Sequence, residues 1–230
     1  MANFVRGDEE FTVQVFGFND DIGNSTETIW PTGGFINLAA SGAAQTLTLT
    51  SAGGATDSGV VVHLEGLDGA TWNRKEEDVT LGSDGTYTTT ETWGRVNRAW
   101  VNSSTNLTGD CTIATTTSNT TLQILMKDQN TTGNASYTVP WGHTGYIDSI
   151  SCNSSVSTVG VKLVISIMEY KTGVGFLTKD KSRVINFNGS YDRQFIKPVK
   201  VPQGSSIELQ AICTAGTALS ADFVVLIDKN

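Results

Sequence analysis

Few residues in this chain have chemical capacity, and their spacing limits what they can do. The two histidines are His63 and His143. His63 stands two residues before Glu65 in an alternating run, and His143 sits in a Pro-Trp-Gly segment. Neither has a second His or Cys at the short spacing that a structural zinc site needs. Cys111, Cys152 and Cys213 are odd in number and far apart, and each shares a strand parity with an aliphatic residue: Ile113, Ile150 and Leu209. They read as buried, unreactive thiols of a chain made in a reducing cytosol. Asp20-Asp21 and Glu76-Glu77-Asp78 offer hard oxygen ligands, but the alternating-Asp loop with its central Gly is absent. They read as solvated acidic turns. There is no nucleophile elbow, phosphate loop or dinucleotide fingerprint. The expectation is a non-enzymatic protein with no catalytic residue, no metal and no cofactor.

Trp30, Trp72, Trp93, Trp100 and Trp141 carry more information. Exposed on a β-sheet they could stack on sugar rings. They could also anchor a subunit interface or fill a core. Large aromatics are mostly buried, which favours core or interface. Trp and Arg are enriched at binding hot spots, so Trp93, Arg95, Arg98, Trp100 and Trp141 are the interface candidates. Phe11, Val13, Val15 and Phe16 join them as a segment expected to dock on a neighbouring subunit.

The elements that must position these residues are strands. Short alternating segments recur between Gly, Asn and Asp turns from Phe11 almost to the end, with no helical periodicity. Thr is abundant, at 32 residues, and suits half-exposed pleated surfaces. Residues 59–67 put Val60, Val62 and Leu64 on one side and Val61, His63 and Glu65 on the other. A Ser83-Asp84-Gly85 turn then leads into a strand over 86–101. Alternation blurs near its end, where Arg95 and Arg98 fall on opposite parities, as a β-bulge would cause. Eight N-x-S/T triplets, at Asn24, Asn102, Asn106, Asn119, Asn130, Asn134, Asn153 and Asn188, read as turns rather than glycan acceptors. Val139-Pro140-Trp141-Gly142 is echoed by Val201-Pro202-Gln203-Gly204. Each fits a type I turn before a strand, where an antiparallel sandwich changes sheet.

The pattern predicts an all-β protein of two tandem β-sandwich, jelly-roll-like domains. The Asn/Ser/Thr-rich stretch 102–121 marks the boundary, giving an N-terminal domain over 1–118, with an N-terminal arm, and a C-terminal domain over 119–230. The net charge of −8 is uneven: −10 over 1–118 and +2 over 119–230. Phosphate binding needs clustered Lys and Arg, so nucleic acid is not an expected partner. No run approaches 18 apolar residues, so no membrane span is expected. The first ten residues hold no apolar signal-peptide core.

Two stretches resemble a family of tailed-bacteriophage virion structural proteins. One is Val61-Val62-His63-Leu64-Glu65-Gly66-Leu67-Asp68 and Val79-Thr80-Leu81, followed by Thr88-Thr89-Thr90 and Arg95-Val96-Asn97-Arg98-Ala99-Trp100-Val101. It is similar to a strand ending in EGLD, then ETVTLNG, a Thr-rich strand and RVNRAYV. The other, Tyr137-Thr138-Val139-Pro140-Trp141-Gly142-His143-Thr144-Gly145-Tyr146-Ile147, resembles YTVPAGKTGYL. Together with the closing strands they cover most of residues 60–228. The resemblance implies a virion component, with a capsid decoration (cement) protein as the leading expectation. Its partners would be the major capsid protein or other virion proteins, and copies of itself. A neck, tail or fibre component, or a carbohydrate- or receptor-binding module, is the alternative.

Overall fold

A computed structural model describes residues 5–6, 10–36, 44–171 and 175–230, with side chains of 5–6 and 170–183 left out of the account. Most of the expected N-terminal arm, residues 1–4 and 7–9, lies outside the described residues. The chain divides into two compact units. One combines Met1–Phe35 with Asn134–Asn230, and the other is Ile36–Gly133.

The first unit contains β1 (Val5–Arg6), β2 (Glu10–Ile22), β3 (Glu27–Thr28), β12 (Ser136–Thr138), β13 (His143–Ser154), β14 (Gly160–Lys171), β15 (Gly175–Asn188), β16 (Ser190–Val201), β17 (Ser206–Cys213) and β18 (Thr217–Lys229). Two antiparallel sheets form, in the orders β1-β2-β18-β13-β16 and β12-β17-β14-β15, with β3 also on β17. β3 and β12 are two pieces of one strand. Glu27 and Thr28 pair with Ala211 and Gln210, while Ser136, Tyr137 and Thr138 pair with Glu208, Ile207 and Ser206. Between them the Ala135 N–H donates to the Ile29 carbonyl (3.0 Å) and the Leu209 N–H donates to the Ala135 carbonyl (2.9 Å). Counting that split strand once and setting aside the two-residue β1, eight strands run in the sheet orders 1-8-3-6 and 2-7-4-5. This is the doubly wound Greek key of a jelly roll. Inward residues of both sheets build its core: Val13, Val15, Ile147, Ile150, Phe223 and Val225 from one, Leu163, Ile165, Ile207 and Leu209 from the other.

Gly17 shows why the split strand needs this sequence. A Cβ there would lie 2.5 Å from the Ala135 Cβ and 2.6 Å from the Ile29 carbonyl oxygen. Only glycine lets β2 cross so close to the point where the strand is interrupted.

The second unit contains β4 (Leu47–Ser51), a 3-10 turn (Gly54–Asp57), β5 (Val61–Asp68), β6 (Arg74–Thr80), β7 (Thr86–Thr88), β8 (Trp93–Val101), β9 (Cys111–Thr115), β10 (Thr121–Met126) and β11 (Thr131–Thr132). They form one sheet in the order β6-β5-β8-β11-β10-β9-β4-β7. β7 and β8 are successive parts of the strand expected over 86–101. Thr86–Thr88 pairs with β4, and β8 then pairs with β5. Between these pairings the Trp93 N–H donates to the Gln45 carbonyl (2.8 Å) and the Gln45 N–H to that of Trp93 (3.1 Å). One bent strand thus curls the sheet nearly into a barrel around Leu47, Leu49, Val62, Leu64, Trp93, Ala99, Ile113 and Leu125.

The all-β class stands, with a jelly roll among its parts, but the units are not in tandem. Residues 30–134 leave and rejoin the middle of a jelly-roll strand. The expected 118/119 boundary falls in the turn of the β9–β10 hairpin, where Ala114 pairs with Thr121. Polar turn composition marks a hairpin as readily as a linker, which is why that stretch misleads. The charge asymmetry of the two halves goes with the boundary. Counted by unit, the net charges are −3 for the jelly roll and −5 for the inserted unit.

The turn readings fare better. The Pro-x-Gly corners join β12 to β13 and β16 to β17, so each changes sheet as expected. They lie side by side: the Val139 N–H donates to the Ser205 carbonyl (3.0 Å), and the Gly204 N–H to the Val139 carbonyl (2.8 Å). The turn type differs from the expected one. The closing bonds run from His143 N–H to the Pro140 carbonyl and from Ser205 N–H to the Pro202 carbonyl. That places Gly142 (φ 77°) and Gly204 (φ 70°) third, as in a type II turn. Asn119 and Asn130 adopt left-handed φ of 51° and 52° in turns, whereas Asn153 belongs to β13.

Candidate interface surfaces

In the inserted unit, β6, β5 and β8 present an outward face on which two of the candidate residues, Arg98 and Trp100, meet. The expected bulge is real. The β5–β8 register slips between Glu65 and Gly66, and again between Leu67 and Asp68. The first slip passes over Asn97 in the register, so Arg95 opposite Leu67 and Arg98 opposite Glu65 fall on the same face. The Gln123 amide on β10 donates to the carbonyls of Val96 (2.9 Å) and Asn97 (3.4 Å), satisfying backbone that the bulge frees. Gly66 admits the close approach, since a Cβ there would be 2.1 Å from the Arg95 carbonyl oxygen.

Glu65 is the centre of the charge network. Its side chain is 1 % exposed and pairs with Arg98 Nε and, at 3.6 Å, with Arg74 Nε. Burying a carboxylate this deep is costly without such partners. The Arg98 guanidinium also lies 5.0 Å from the Trp100 ring centroid. His63, paired across the strands with Trp100, stacks on it at 4.2 Å with an interplanar angle of 31°. Its Nδ1 is 2.8 Å from Asp78 Oδ1, and the Asn102 amide donates to the same oxygen at 3.2 Å. The His63 hydrogen bond, helped by Asn102, outweighs desolvation and holds the Asp78 carboxyl below its usual range. This histidine–carboxylate pair has the Trp100 ring and the Asn102 amide beside it.

The candidates do not all share that surface. Trp93 is 1 % exposed and belongs to the barrel core. Lys75 covers it, with Nζ 4.7 Å from the ring centroid and 2.7 Å from Glu91 Oε2. Arg95 is buried, donates to the Gly94 carbonyl at 3.2 Å and lies 5.4 Å from the Trp72 ring centroid. Burial lowers its pKa to about 9. Trp72 sits at φ 60° in the turn that Asp68 organises by accepting from the Ala70 and Thr71 N–H groups. Arg98 and Trp100, half-buried, remain at the surface. Sequence reasoning missed Glu65, Asp78 and Asn102 as partners of this set. The i, i+2 spacing of His63 and Glu65 was a signal for a shared face, but nothing local pairs β5 with residue 78.

In the jelly roll, the segment expected to dock is divided by its own alternation. Val13 and Val15 point inward and are at most 3 % exposed. Phe11 is half-buried against the core and meets His143 edge to face at 6.0 Å. Phe16, half-buried, lies on the opposite parity, outward. Trp141 is half-buried in the β12–β13 corner, where its carbonyl lies 3.0 Å from His143 Nδ1. The chain end closes over this corner: the Asn230 N–H donates to the Gly142 carbonyl at 2.8 Å.

The three thiols are buried and free, as expected. Desolvation pushes Cys111 and Cys152 up to about 12 and raises Cys213 as well. Two buried acids went unnoticed in the sequence. Asp57 is fully buried and accepts from Ser51, from the Thr108 N–H (2.8 Å) and hydroxyl (2.7 Å), and from the Gly109 N–H (3.4 Å). Burial alone would raise its pKa, but these bonds together overcome it and hold the carboxyl below its usual value. Glu208 in β17 is 3 % exposed; burial raises it despite hydrogen bonds from Thr28 and Gln210. Among the described residues, no three His, Cys, Asp or Glu side chains gather as metal ligands. No helix among them is long and apolar enough to cross a membrane.

No family model matches this chain, and no curated protein does. Solved structures titled as infectious bursal disease virus align over nearly its whole length. The Gt strain structure is 9 % identical, with 98 % of this chain and 74 % of that one covered and a TM-score of 0.21. The Gx strain structure is 8 % identical, with 96 % and 76 % covered and a TM-score of 0.23. Superpositions this poor establish no common fold.

Proposed function

We propose that this chain is a non-enzymatic structural component of a tailed-phage particle, and within it a capsid decoration protein that binds the major capsid protein. The observation that carries the reading is where the two phage-like stretches fall. The first covers β5, the last two residues of β6, the end of β7 and most of β8 in the inserted unit. The second spans β12, its sheet-changing corner and β13. The second is a contiguous structural piece, and the first centres on two strands that pair with each other, β5 and β8. A jelly roll suits the role, because its two sheets present broad faces and its closed core resists unfolding.

The mechanism would be added contact area at the junctions of shell subunits. Avidity over a symmetric lattice lets modest individual contacts suffice. The saccharide-binding alternative draws less support. Trp30, Trp72 and Trp93 are buried, and Trp100 is already stacked on by His63 and Arg98. The deciding measurement is the copy number of this chain per purified particle. A fixed ratio to the shell protein, at hundreds of copies, is expected. A dozen or so would reassign the protein to the neck, tail or fibre, and absence would overturn the virion reading.

A further inference from the structure

The jelly roll carries two unlike surfaces that complement each other. The first is the outward face of β2, β18 and β13. Cross-strand register places Phe16 beside Asp222, Gln14 beside Val224, and Thr12 beside Leu226, which in turn faces Tyr146. Phe16, Phe18, Val224, Leu226 and Tyr146 are all half-buried, so the face is an apolar strip open to solvent. Its charges are of one sign. Glu10, Asp222 and Asp228 hold outward positions, and no Lys or Arg holds one on these three strands.

The second surface is β16, the last strand of that sheet. Its pairing with β13 jumps from Val199 opposite Ile147 to Gln194 opposite Ser149. The residues between bulge away from the ladder, and Ile196 is 101 % exposed, the most exposed of the large apolar side chains described. Arg193, Lys197 and Lys200 surround it in sequence, and all three are exposed. A bulge with Lys and Pro198 on a sheet edge blocks the addition of another strand. The segment is therefore suited to contact through side chains: one exposed apolar residue in a stretch that carries three cations and one carboxylate, Asp192.

We propose that these surfaces bind each other between copies, with the β16 bulge of one chain seated on the outward β2-β18-β13 face of the next. Charge selects the pairing. Two such faces brought together would oppose carboxylates, and two bulges would oppose cations, whereas bulge on face pairs opposite signs around an apolar centre. The contact is head to tail, so it propagates until a ring closes. It concerns the isolated protein and does not depend on the virion reading.

The test is sedimentation of the purified full chain across a concentration series, for wild type, Ile196→Asp and Val224→Lys, with circular dichroism confirming the fold. The wild type is expected to form a closed oligomer that loosens at high salt. Each variant alone should be monomeric, with association weakened about tenfold or more. Their equimolar mixture should give heterodimers, because one bulge and one face remain intact. Should Val224→Lys fail to fold, Asp222→Lys replaces it. A wild type that stays monomeric at every concentration overturns the proposal. So does a folded variant that assembles as the wild type does, or a mixture that remains monomeric.

Discussion

The two units solve one problem in different ways. Each must bury the apolar side of antiparallel strands. The jelly roll does it by folding two sheets against each other, with Phe223 and Val225 of one and Leu163 and Ile207 of the other in a single core. The inserted unit curls one sheet back on itself, and the bridge between Gln45 and Trp93 draws its ends together. A sandwich needs corners, so the jelly roll invests glycine in type II turns and in the crossing at Gly17. A curled sheet needs bends within strands, so the inserted unit invests in the bulge at Asn97, with Gly66 beneath it and Gln123 capping its carbonyls. Their buried acids diverge for the same reason. Asp57 ends the 3-10 turn, and the Thr108 and Gly109 N–H groups of a neighbouring loop turn toward it. Glu208 lies mid-strand, where the ladder has used the N–H groups and leaves only side chains to stabilise its charge.

Substitutions at the two glycines break the contrast most sharply. Gly17→Ala should disrupt the jelly roll and Gly66→Ala the bulged barrel, each by about 3 kcal/mol or more, because backbone atoms stand where the methyl must go. Chemical denaturation should show both losses. Hydrogen exchange should place the first in β2 and β12, and the second in β5 and β8. An equal spread of exchange over both units in either variant would contradict the division. Asp57→Ala comes next. It leaves the Thr108 N–H and the Ser51 and Thr108 hydroxyls unmatched, costing about 2–3 kcal/mol in the same assay.

The buried acids also predict opposite pH responses. The folded pKa of Asp57 lies below its unfolded value. Its contribution is therefore complete above the ordinary carboxylate range and is lost as pH falls through the folded value. The folded pKa of Glu208 lies above its unfolded value. Its contribution is complete below the ordinary range and is lost as pH rises through the folded value. Glu208→Gln should thus stabilise the protein at neutral pH, on the order of 1 kcal/mol, and leave mildly acidic stability nearly unchanged. Melting temperatures across a pH series read both. A variant no more stable at neutral pH would show that Glu208 carries its charge there without cost. The smallest effect belongs to the surface. His63→Ala should cost about 0.5 kcal/mol, since Asp78 is largely solvated. It should also uncover Trp100, seen as a shift in tryptophan emission.

How much of this was legible depends on the range of each interaction. The bulge showed because Arg95 and Arg98 break an alternation within one strand. The sheet-changing corners showed because Pro and Gly restrict backbone angles locally. The interface candidates were legible only as a pool. Parity along β2 already separated Val13 and Val15 from Phe16, but which parity faced the core depended on β18 beside it. Trp93 and Trp100 look alike in sequence. Seven positions apart they fall on opposite faces, since the two register slips between them cancel, and which face fills the barrel was set by the strands alongside.

The sequence by itself determined that the chain is all β, where most strands and turns lie, and that its thiols are buried. These follow from periodicity, turn chemistry and residue size, which act over a few positions. Only the tertiary structure decided that Thr28 and Ser136 belong to one strand, with another unit emerging between them. It alone brought Asp78 to His63 and Glu208 beside Thr28. Those pairings rest on register between segments distant in the chain, and composition carries no record of which strands will be neighbours.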